Sequence, residues 1–313
     1  MKAKPFLKWA GGKGQLLEQF DRFYPKELRK GDLQRYVEPF VGGGAVFFDV
    51  MQKFKPRTAF ISDINKDLIL TYTVVQQRST ELIYFLEQLQ NQYNKTESEK
   101  RQDLFLTVRQ SFNEQRFAIS YNKITDNWIP RAAQLIFLNK TCFNGLFRLN
   151  SKGEFNVPFG KYANPNICDK LNIKACSEIL QNTDIRIANY EQSLEVIDSK
   201  SFVYFDPPYR PLSKTASFTT YSGTEFTDRE QIRLALFFQK INDKTKAKMM
   251  LSNSDPKNEN PNDNFFEHTF EKFNIHRVRA SRAINSKGDK RGAINEILIT
   301  NYEPQPQTLT LNL

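Results

Sequence analysis

A strand, a glycine-rich turn, a helix and a second strand that ends in an acid follow one another between residues 35 and 63. Arg35–Glu38 has the composition of a short strand, and Gly42-Gly43-Gly44 follows it before an apolar helical stretch. The next apolar run, residues 58–62, leads directly into Asp63. This order is typical of a nucleotide-binding βαβ unit, in which a helix connects two parallel strands. It therefore predicts an α/β fold.

The rest of the chain predicts that this α/β fold is interrupted by helices. Apolar residues recur at helical spacing at Leu82, Leu86, Leu89 and Tyr93. Thr96-x-x-Glu99 has the pattern of a capping box before another helix, and Pro130 suits the first turn of a third. Strand candidates return at residues 201–205, 249–251, 276–278 and 297–299. We expect residues 1–73 and 185–313 to form one α/β domain and residues 74–184 to form an inserted, mainly helical domain.

The charge balance is basic, with 45 Lys and Arg against 35 Asp and Glu and a formal net charge of +10. This excess suggests a polyanionic partner, although a merely basic protein has the same balance, and both interpretations stay open at this point. No apolar run approaches the roughly 18 residues of a membrane span. Three irregularly spaced cysteines and two histidines predict neither structural disulfides nor a metal site. Without a recognisable signal peptide, the sequence predicts a cytoplasmic protein.

Asp206-Pro207-Pro208-Tyr209 directly follows the apolar strand candidate at residues 201–205. Ligands of open α/β sheets bind beyond the carboxyl ends of the strands, which is where this tetrapeptide stands. Its residue types suit methylation of an exocyclic amine, because two acceptors that take hydrogen bonds from the amine free its lone pair. Asp206 and the Pro207 carbonyl offer these acceptors, and Tyr209 offers a ring for stacking. The alternative is a strand that merely ends in a Pro-Pro turn.

The glycine turn and Asp63 together favour an adenosyl cofactor. Glycines let the backbone approach a ligand closely, although a tight turn between strand and helix is the alternative for Gly42-Gly43-Gly44. Asp63 follows the glycines by about twenty residues, at the position of a carboxylate that binds both ribose hydroxyls. The spacing of the glycines is not Gly-x-Gly-x-x-Gly, so it does not indicate a dinucleotide.

Gly12-Lys13 resembles the end of a P-loop, but Gly14 stands where that motif requires Ser or Thr. A lysine in a glycine-rich turn can instead neutralise a carboxylate, such as that of a methionine group. Trp9 is expected either to pack beside this lysine or to belong to the core.

Residues 139–162 alternate basic, amide and aromatic side chains with turn formers. Arginine suits guanine, asparagine suits adenine, and lysine suits phosphates. An aromatic side chain at a loop tip can fill the gap that a flipped base leaves. A solvated surface loop is the alternative. A second basic stretch, residues 279–291, predicts a further phosphate patch or a solvated hairpin loop.

The segments FLKWAGGK, EPFVGGGAVFF, SDIN, FNGLFRLNSKGEFNVPFG and DPPY, in this order, resemble the α group of Dam-type adenine-N6 DNA methyltransferases over nearly the whole chain. The resemblance implies a Rossmann-like, seven-stranded sheet with helices on both faces, which binds S-adenosylmethionine, and an inserted domain that recognises double-stranded DNA. It implies methyl transfer to N6 of a flipped adenine and a place in a restriction-modification system beside a cognate endonuclease. The recognition loop favours GATC, and other sites that contain GAT stay open. Methylation of RNA or of cytosine N4, and a silent DNA-binding module, are the weaker alternatives. Most members act as monomers.

The resemblance also implies roles for individual residues. The catalytic residues are Asp206, Pro207, Pro208 and Tyr209. The cofactor-binding residues are Trp9, Lys13, Phe40, Gly42, Gly44, Asp63, Ile64, Asn189, Tyr190 and Asp206. The DNA-binding residues are Lys8 at the first guanine, Phe143 as a wedge, the readers Asn144, Leu146 and Arg148, and also Lys140, Asn156 and Lys161. Asn189 departs from the family, since relatives often have an acid there, and it would accept a weaker hydrogen bond from the cofactor's adenine. Residues 213–227 receive no role.

Overall fold

The structure, a computed structural model, describes residues 1–210, 226–281 and 293–304. Its sheet has seven strands within this part of the chain, in the order β3-β2-β1-β4-β5-β7-β6. The strands are β1 (Arg35–Glu38), β2 (Thr58–Asp63), β3 (Thr183–Ile187), β4 (Ser201–Phe205), β5 (Lys248–Ser254), β6 (Asn274–Ser281) and β7 (Ala293–Thr300). The first five strands are parallel, and β7 runs antiparallel to both of its neighbours, β5 and β6. The predicted α/β fold is therefore confirmed.

Ten α-helices occur in the described residues. They are α1 (Leu17–Asp21), α2 (Lys26–Arg29), α3 (Ala45–Lys53), α4 (Lys66–Gln77), α5 (Ser79–Lys95), α6 (Arg101–Gln115), α7 (Trp128–Thr141), α8 (Lys170–Leu180), α9 (Asp228–Thr245) and α10 (Phe265–Thr269). None of these helices is both long and apolar enough to span a membrane.

Both faces of the sheet are buried under helices, as the sequence predicted. In β4, Phe202 and Tyr204 belong to one apolar cluster, and Val203 and Phe205 belong to another. This alternation follows from the pleat, which turns successive side chains to opposite faces. Helices α3, α4 and α8 pack on the first face, and α9 and α10 pack on the second.

Helices α5, α6 and α7 make the predicted insert mainly helical, and α7 packs against both of the others and against α4. Arg131 of α7 is buried and forms an ion pair with Asp67 of α4, with Nε 2.6 Å from Oδ1. The predicted boundary at residue 73 lies inside α4, and the one at residue 184 lies inside β3. One apolar cluster runs from the sheet into these helices. The division into two domains remains a prediction.

Local capping signals had mixed outcomes. Pro130 lies in the first turn of α7, as expected, and Asn65 caps α4 by accepting a hydrogen bond from the backbone of Leu68. The predicted capping box at Thr96 is wrong, because this residue ends α5 and its hydroxyl donates to the Gln92 carbonyl. Threonine side chains readily satisfy a carbonyl one turn back instead of capping the next helix.

Two predicted features lie outside the described residues. They are the basic side chains Arg282, Lys287, Lys290 and Arg291 and most of the unassigned segment, residues 213–225.

Candidate active site

Asp206 immediately follows β4, the central strand between β1 and β5, and the turn after it is held from two elements. Gln231 of α9 donates from Nε2 to the Pro208 carbonyl over 3.0 Å. Asn253 of β5 accepts a hydrogen bond from the Arg210 backbone, also over 3.0 Å. The tetrapeptide of residues 206–209 is thus anchored at its far end by buried amide side chains.

The Asp206 carboxylate is bound on one of its two oxygens. Lys13 Nζ lies 2.8 Å from Oδ1, and Ser252 Oγ donates to the same oxygen over 3.0 Å. Among the described residues, neither Oδ2 nor the Pro207 carbonyl accepts a hydrogen bond. Burial raises the pKa of Asp206, and the Lys13 ammonium opposes that rise. Two acceptors on adjacent residues therefore remain available at the end of β4.

Lys13 is the buried cation of this site, with 3% of its surface exposed. Besides Asp206, its ammonium donates to the Gly11 carbonyl over 2.5 Å and lies 4.5 Å from the centre of the Tyr209 ring. The lysine that the sequence predicted to bind a cofactor thus lies directly beside the tetrapeptide that the sequence predicted to be catalytic. A buried ammonium needs such partners because its desolvation is costly.

Two further carboxyl groups lie near Lys13, one buried (Glu38) and one partly buried (Glu296), and sequence reasoning missed both. Glu38, the last residue of β1, accepts from Tyr36 Oη over 2.7 Å. Glu296 of β7 accepts from Tyr209 Oη over 2.5 Å. Burial raises the pKa of each carboxyl, and the charge of Lys13 lowers it. The available signal for both was a carboxylate beside the apolar residues of a strand, Tyr36 and Val37 in β1 and Ile297 in β7.

The glycine turn after β1 leaves no room for side chains. Gly42 and Gly44 have φ angles of 46° and 71°. A Cβ on Gly42 would lie 2.8 Å from the Trp9 ring, and one on Gly44 would lie 2.5 Å from Tyr72 Oη. Asp63 accepts the Gly42 N–H over 3.2 Å, which ties the end of β2 to this turn. Burial raises the pKa of Asp63.

The remaining residues predicted for the cofactor lie around Asp63. Phe40 stacks on Tyr190 with a centroid distance of 5.3 Å, and the hydroxyl of Tyr190 is buried without a hydrogen-bond partner in the described part of the chain. Ile64 is 52% exposed and free to contact a ligand. Asn189 lies beyond β3 rather than within a strand, and its side chain accepts from the Glu191 backbone.

The predicted recognition loop folds as an irregular hairpin, with bridges from Cys142 to Phe159 and from Leu149 to Phe155. Phe143 is 51% exposed, and Arg148 is exposed too, so both side chains are accessible to a partner. Lys8 joins this surface, because its ammonium lies 4.9 Å from the centre of the Tyr162 ring.

The other residues predicted to bind DNA belong to the same hairpin or to the end of α7. Asn156 accepts from Arg148 Nε over 2.7 Å and so orients the guanidinium. Asn144 and Lys161 are exposed and adopt positive φ angles of 55° and 56°. Leu146 and Lys140 are partly exposed. Burial lowers the pKa of Lys140, and the nearby Lys8 charge adds to this effect.

The strand order, with a glycine turn after β1 and an Asp-Pro-Pro-Tyr turn after β4, defines the class of a Rossmann-like methyltransferase. A family profile described as "D12 class N6 adenine-specific DNA methyltransferase" matches residues 9–284. The chain belongs to this family, and its activity is adenine-N6 methylation of DNA.

Full-length relatives support this assignment. The type II methyltransferase M.MjaIII of Methanocaldococcus jannaschii is 50% identical over 303 residues, which cover 96% of this chain and 100% of the relative. The type II methyltransferase M1.LlaDCHI of Lactococcus lactis subsp. cremoris is 36% identical, with 96% and 95% covered. The DNA adenine methylase of Escherichia coli K12 is 32% identical, with 97% and 96% covered. The similarity thus spans both the Asp-Pro-Pro-Tyr turn and the hairpin.

Proposed function

We propose that the enzyme transfers a methyl group from S-adenosylmethionine to N6 of an adenine flipped out of a duplex GATC site. This proposal rests on two hydrogen-bond acceptors at the end of β4, Asp206 Oδ2 and the Pro207 carbonyl, which lie beside the Tyr209 ring. An adenine amino group has two hydrogens to donate, and these two acceptors match them.

The protein's part in the reaction is to prepare the amine. Hydrogen bonds to Asp206 and to the Pro207 carbonyl draw the nitrogen toward tetrahedral geometry, which makes its lone pair available. Tyr209 stacks on the base, and its ring is oriented by the hydrogen bond to Glu296. S-adenosylmethionine, when bound, supplies an electrophilic methyl group. The amine is a neutral nucleophile, so no strong base is needed before transfer, and its proton leaves afterwards.

The residues around the glycine turn fit that cofactor. Lys13 would bind the methionine carboxylate, and Asp63 would bind the ribose hydroxyls. Phe40, Ile64 and Tyr190 would surround the adenine, and the buried Tyr190 hydroxyl without a partner supports a polar ligand group there. Gly42, Gly44, Trp9 and Asn189 would complete the walls of the pocket.

The hairpin and its neighbours would bind the DNA as the inserted target-recognition domain, residues 74–184, beside a catalytic domain of residues 1–73 and 185–313. Phe143 would enter the duplex as a wedge. Asn144, Leu146 and Arg148 would read base edges with Lys8 at the first guanine, and the remaining contacts would come from Lys140, Asn156 and Lys161. Exposure of Phe143 and Arg148 supports these roles. A flipped base is required because an enzyme cannot reach N6 inside a stacked duplex.

We further propose a restriction-modification role, in which a monomer of this enzyme protects DNA from a cognate endonuclease. The names of the Methanocaldococcus and Lactococcus relatives, both type II methyltransferases, support it. The Escherichia coli relative, a DNA adenine methylase, leaves a solitary role as the second candidate.

The test is to express the enzyme in cells without DNA methylation and to sequence the modified bases. We expect N6-methyladenine at GATC throughout the genome. Methylation of a different motif would overturn the GATC proposal and leave adenine methylation intact. Purified enzyme should bind S-adenosylmethionine in calorimetry, and Asp63→Ala should weaken this binding. A duplex with 2-aminopurine at the target should gain fluorescence if the base is flipped, and an unchanged signal would contradict that step.

A further inference from the structure

Residues 3–8 precede the first helix and belong to no strand or helix, yet amide side chains hold them in place. Three of these side chains each bind both the N–H and the carbonyl of one backbone residue, as a neighbouring strand would. The pairs are Gln52 with Ala3, Asn172 with Lys4, and Asn139 with Lys8.

Asn139 differs from the other two because it also binds the recognition hairpin. It lies in the last turn of α7, 1% exposed, and accepts the Lys8 N–H over 2.8 Å. Its amide nitrogen donates to the Lys8 carbonyl over 2.9 Å and to the Gly145 carbonyl over 2.8 Å. One buried side chain therefore joins the N-terminal segment to the start of the hairpin.

The side chain of Lys8 lies along the hairpin as a result. A Cβ on Gly145 would meet Lys8 Cδ at 2.4 Å, so the lysine stem passes directly over this glycine. The ammonium lies above the ring of Tyr162, whose hydroxyl accepts the Asn144 N–H over 3.2 Å. Both ends of Lys8 are thus fixed relative to the side chains predicted to read bases.

The next residue, Trp9, contacts the other functional region. Its ring stacks on Phe147 of the hairpin, with a centroid distance of 5.5 Å and an interplanar angle of 21°. The same ring covers Gly42 of the glycine turn so closely that a Cβ there would collide with it. Lys8 and Trp9 together therefore bridge the glycine turn and the hairpin, and Asn139 is the polar anchor of this bridge.

We propose that Asn139 is a positioning residue for sequence discrimination, which holds the Lys8 ammonium in register with the hairpin. The inference rests on the proposed function, in which Lys8 and the hairpin read DNA. Loss of the anchor would let Lys8 move relative to Arg148, so that a wrong base pair is tolerated more easily. Methyl transfer at Asp206 would not depend on it.

The test compares Asn139→Asp with Asn172→Asp, a matched control. Both changes are isosteric, and both replace an amide donor that faces the carbonyl of a residue in the N-terminal segment. Discrimination is the ratio of kcat/KM on the site that the wild type methylates to kcat/KM on a duplex altered at the first base pair of that site. We expect Asn139→Asp to lower this ratio by about tenfold or more. Asn172→Asp should leave this ratio within about threefold, because Asn172 binds the backbone of Lys4 and not the hairpin, and distant sites act nearly independently.

Further measurements separate positioning from general damage. The single-turnover rate at saturating DNA and the cofactor affinity should stay close to wild type in Asn139→Asp. Equal losses of discrimination in both variants, or a loss of cofactor affinity alone, would overturn the proposal.

Should Asn139→Asp fail to fold, a second variant is Asn139→Ser, whose short side chain cannot bind both Lys8 and Gly145. This variant must show the same loss of discrimination. In the wild type, hydrogen exchange of the Lys8 backbone amide should be slower when the target site is bound than when a non-specific duplex is bound. Equal exchange rates would count against the proposal.

Failure of this inference can be told apart from failure of the proposed function. The site that the wild type modifies is mapped first, and discrimination is then measured on that site, whether or not it is GATC. Arg148→Ala changes the hairpin without touching Asn139. A loss of discrimination in Arg148→Ala but not in Asn139→Asp refutes the positioning role alone. No loss in either variant refutes the reading role of the hairpin as well.

Discussion

The end of the sheet and the hairpin of residues 142–159 both carry charged side chains, but in opposite environments. At the sheet, Lys13 is 3% exposed and contacts Asp206, with Glu38 and Glu296 close by. On the hairpin, the exposed Arg148 is oriented by a single neighbouring asparagine. Catalysis requires hydrogen-bond acceptors that are held in place in a medium of low polarity. DNA recognition requires side chains whose main partners belong to the DNA.

This difference predicts how the two regions respond to substitution. Removing one member of a buried, paired set leaves another charge without its partner, which is costly. Removing an exposed side chain costs the free protein little and is felt only when DNA is bound. Substitutions at the sheet should therefore alter the rate of methyl transfer, and those on the hairpin should alter affinity and discrimination.

The largest effect is expected for Asp206→Ala. Loss of one acceptor that acts on the reacting nitrogen should lower kcat by about 10²–10³-fold, the usual scale for a single group of this kind. Affinity for duplex DNA, measured by fluorescence anisotropy, should stay near wild type. Asp198→Ala is the matched control, because this exposed aspartate precedes the same strand and pairs with Arg35. Undiminished methyl transfer in Asp206→Ala would refute the mechanism.

Next in size is Arg148→Ala. A bidentate contact to a base is worth about 1–3 kcal/mol of discrimination, so the preference for the modified site should fall roughly 5- to 150-fold. The single-turnover rate on saturating DNA should change little, since the catalytic turn is untouched. Arg186→Ala, in the edge strand β3, serves as control because the exposed guanidinium pairs locally with Asp184. A fall in kcat with intact discrimination would contradict the separation of the two regions.

The pH dependence of methyl transfer sharpens the contrast further. Asp206 is a stronger hydrogen-bond acceptor for the amine when it is ionised, and burial raises its pKa while Lys13 opposes the rise. Activity should therefore fall as pH drops through the raised pKa of Asp206, by up to about tenfold per pH unit. Lys13→Met should move this acid limb to higher pH, because the opposing charge is lost. A profile of kcat/KM against pH checks this, and a limb that stays in place or moves to lower pH would be inconsistent with it.

The smallest effect is expected for Lys161→Gln on the hairpin. If Lys161 contacts a phosphate, the slope of log affinity against log salt concentration should decrease by about one, with uniform weakening across DNA sequences. A change in base preference without a change in the salt slope would instead assign this lysine to reading.

Local signals in the chain sufficed for much of the fold and part of the site. The sequence predicted β1 and β4 with the bounds that the structure has, because each is a short segment with aromatic and β-branched residues directly before a turn signal. The cap at Asn65 is also local, since donor and acceptor lie within one helical turn. Thr96 shows the limit of this reasoning, because its hydroxyl can satisfy either the helix before it or the helix after it, and only packing decides.

The amino-acid sequence by itself determined the parallel order of β1 and β2, the Asp-Pro-Pro-Tyr turn and the basic, aromatic character of the hairpin. Only the tertiary structure decided that Glu296 binds Tyr209, that Lys13 binds Asp206, and that Asn139 joins Lys8 to Gly145. The physical reason is the separation of the contacting residues along the chain, because turns and caps form between sequence neighbours. A buried polar contact between distant segments exists only where folding brings a donor to an acceptor and excludes water from both.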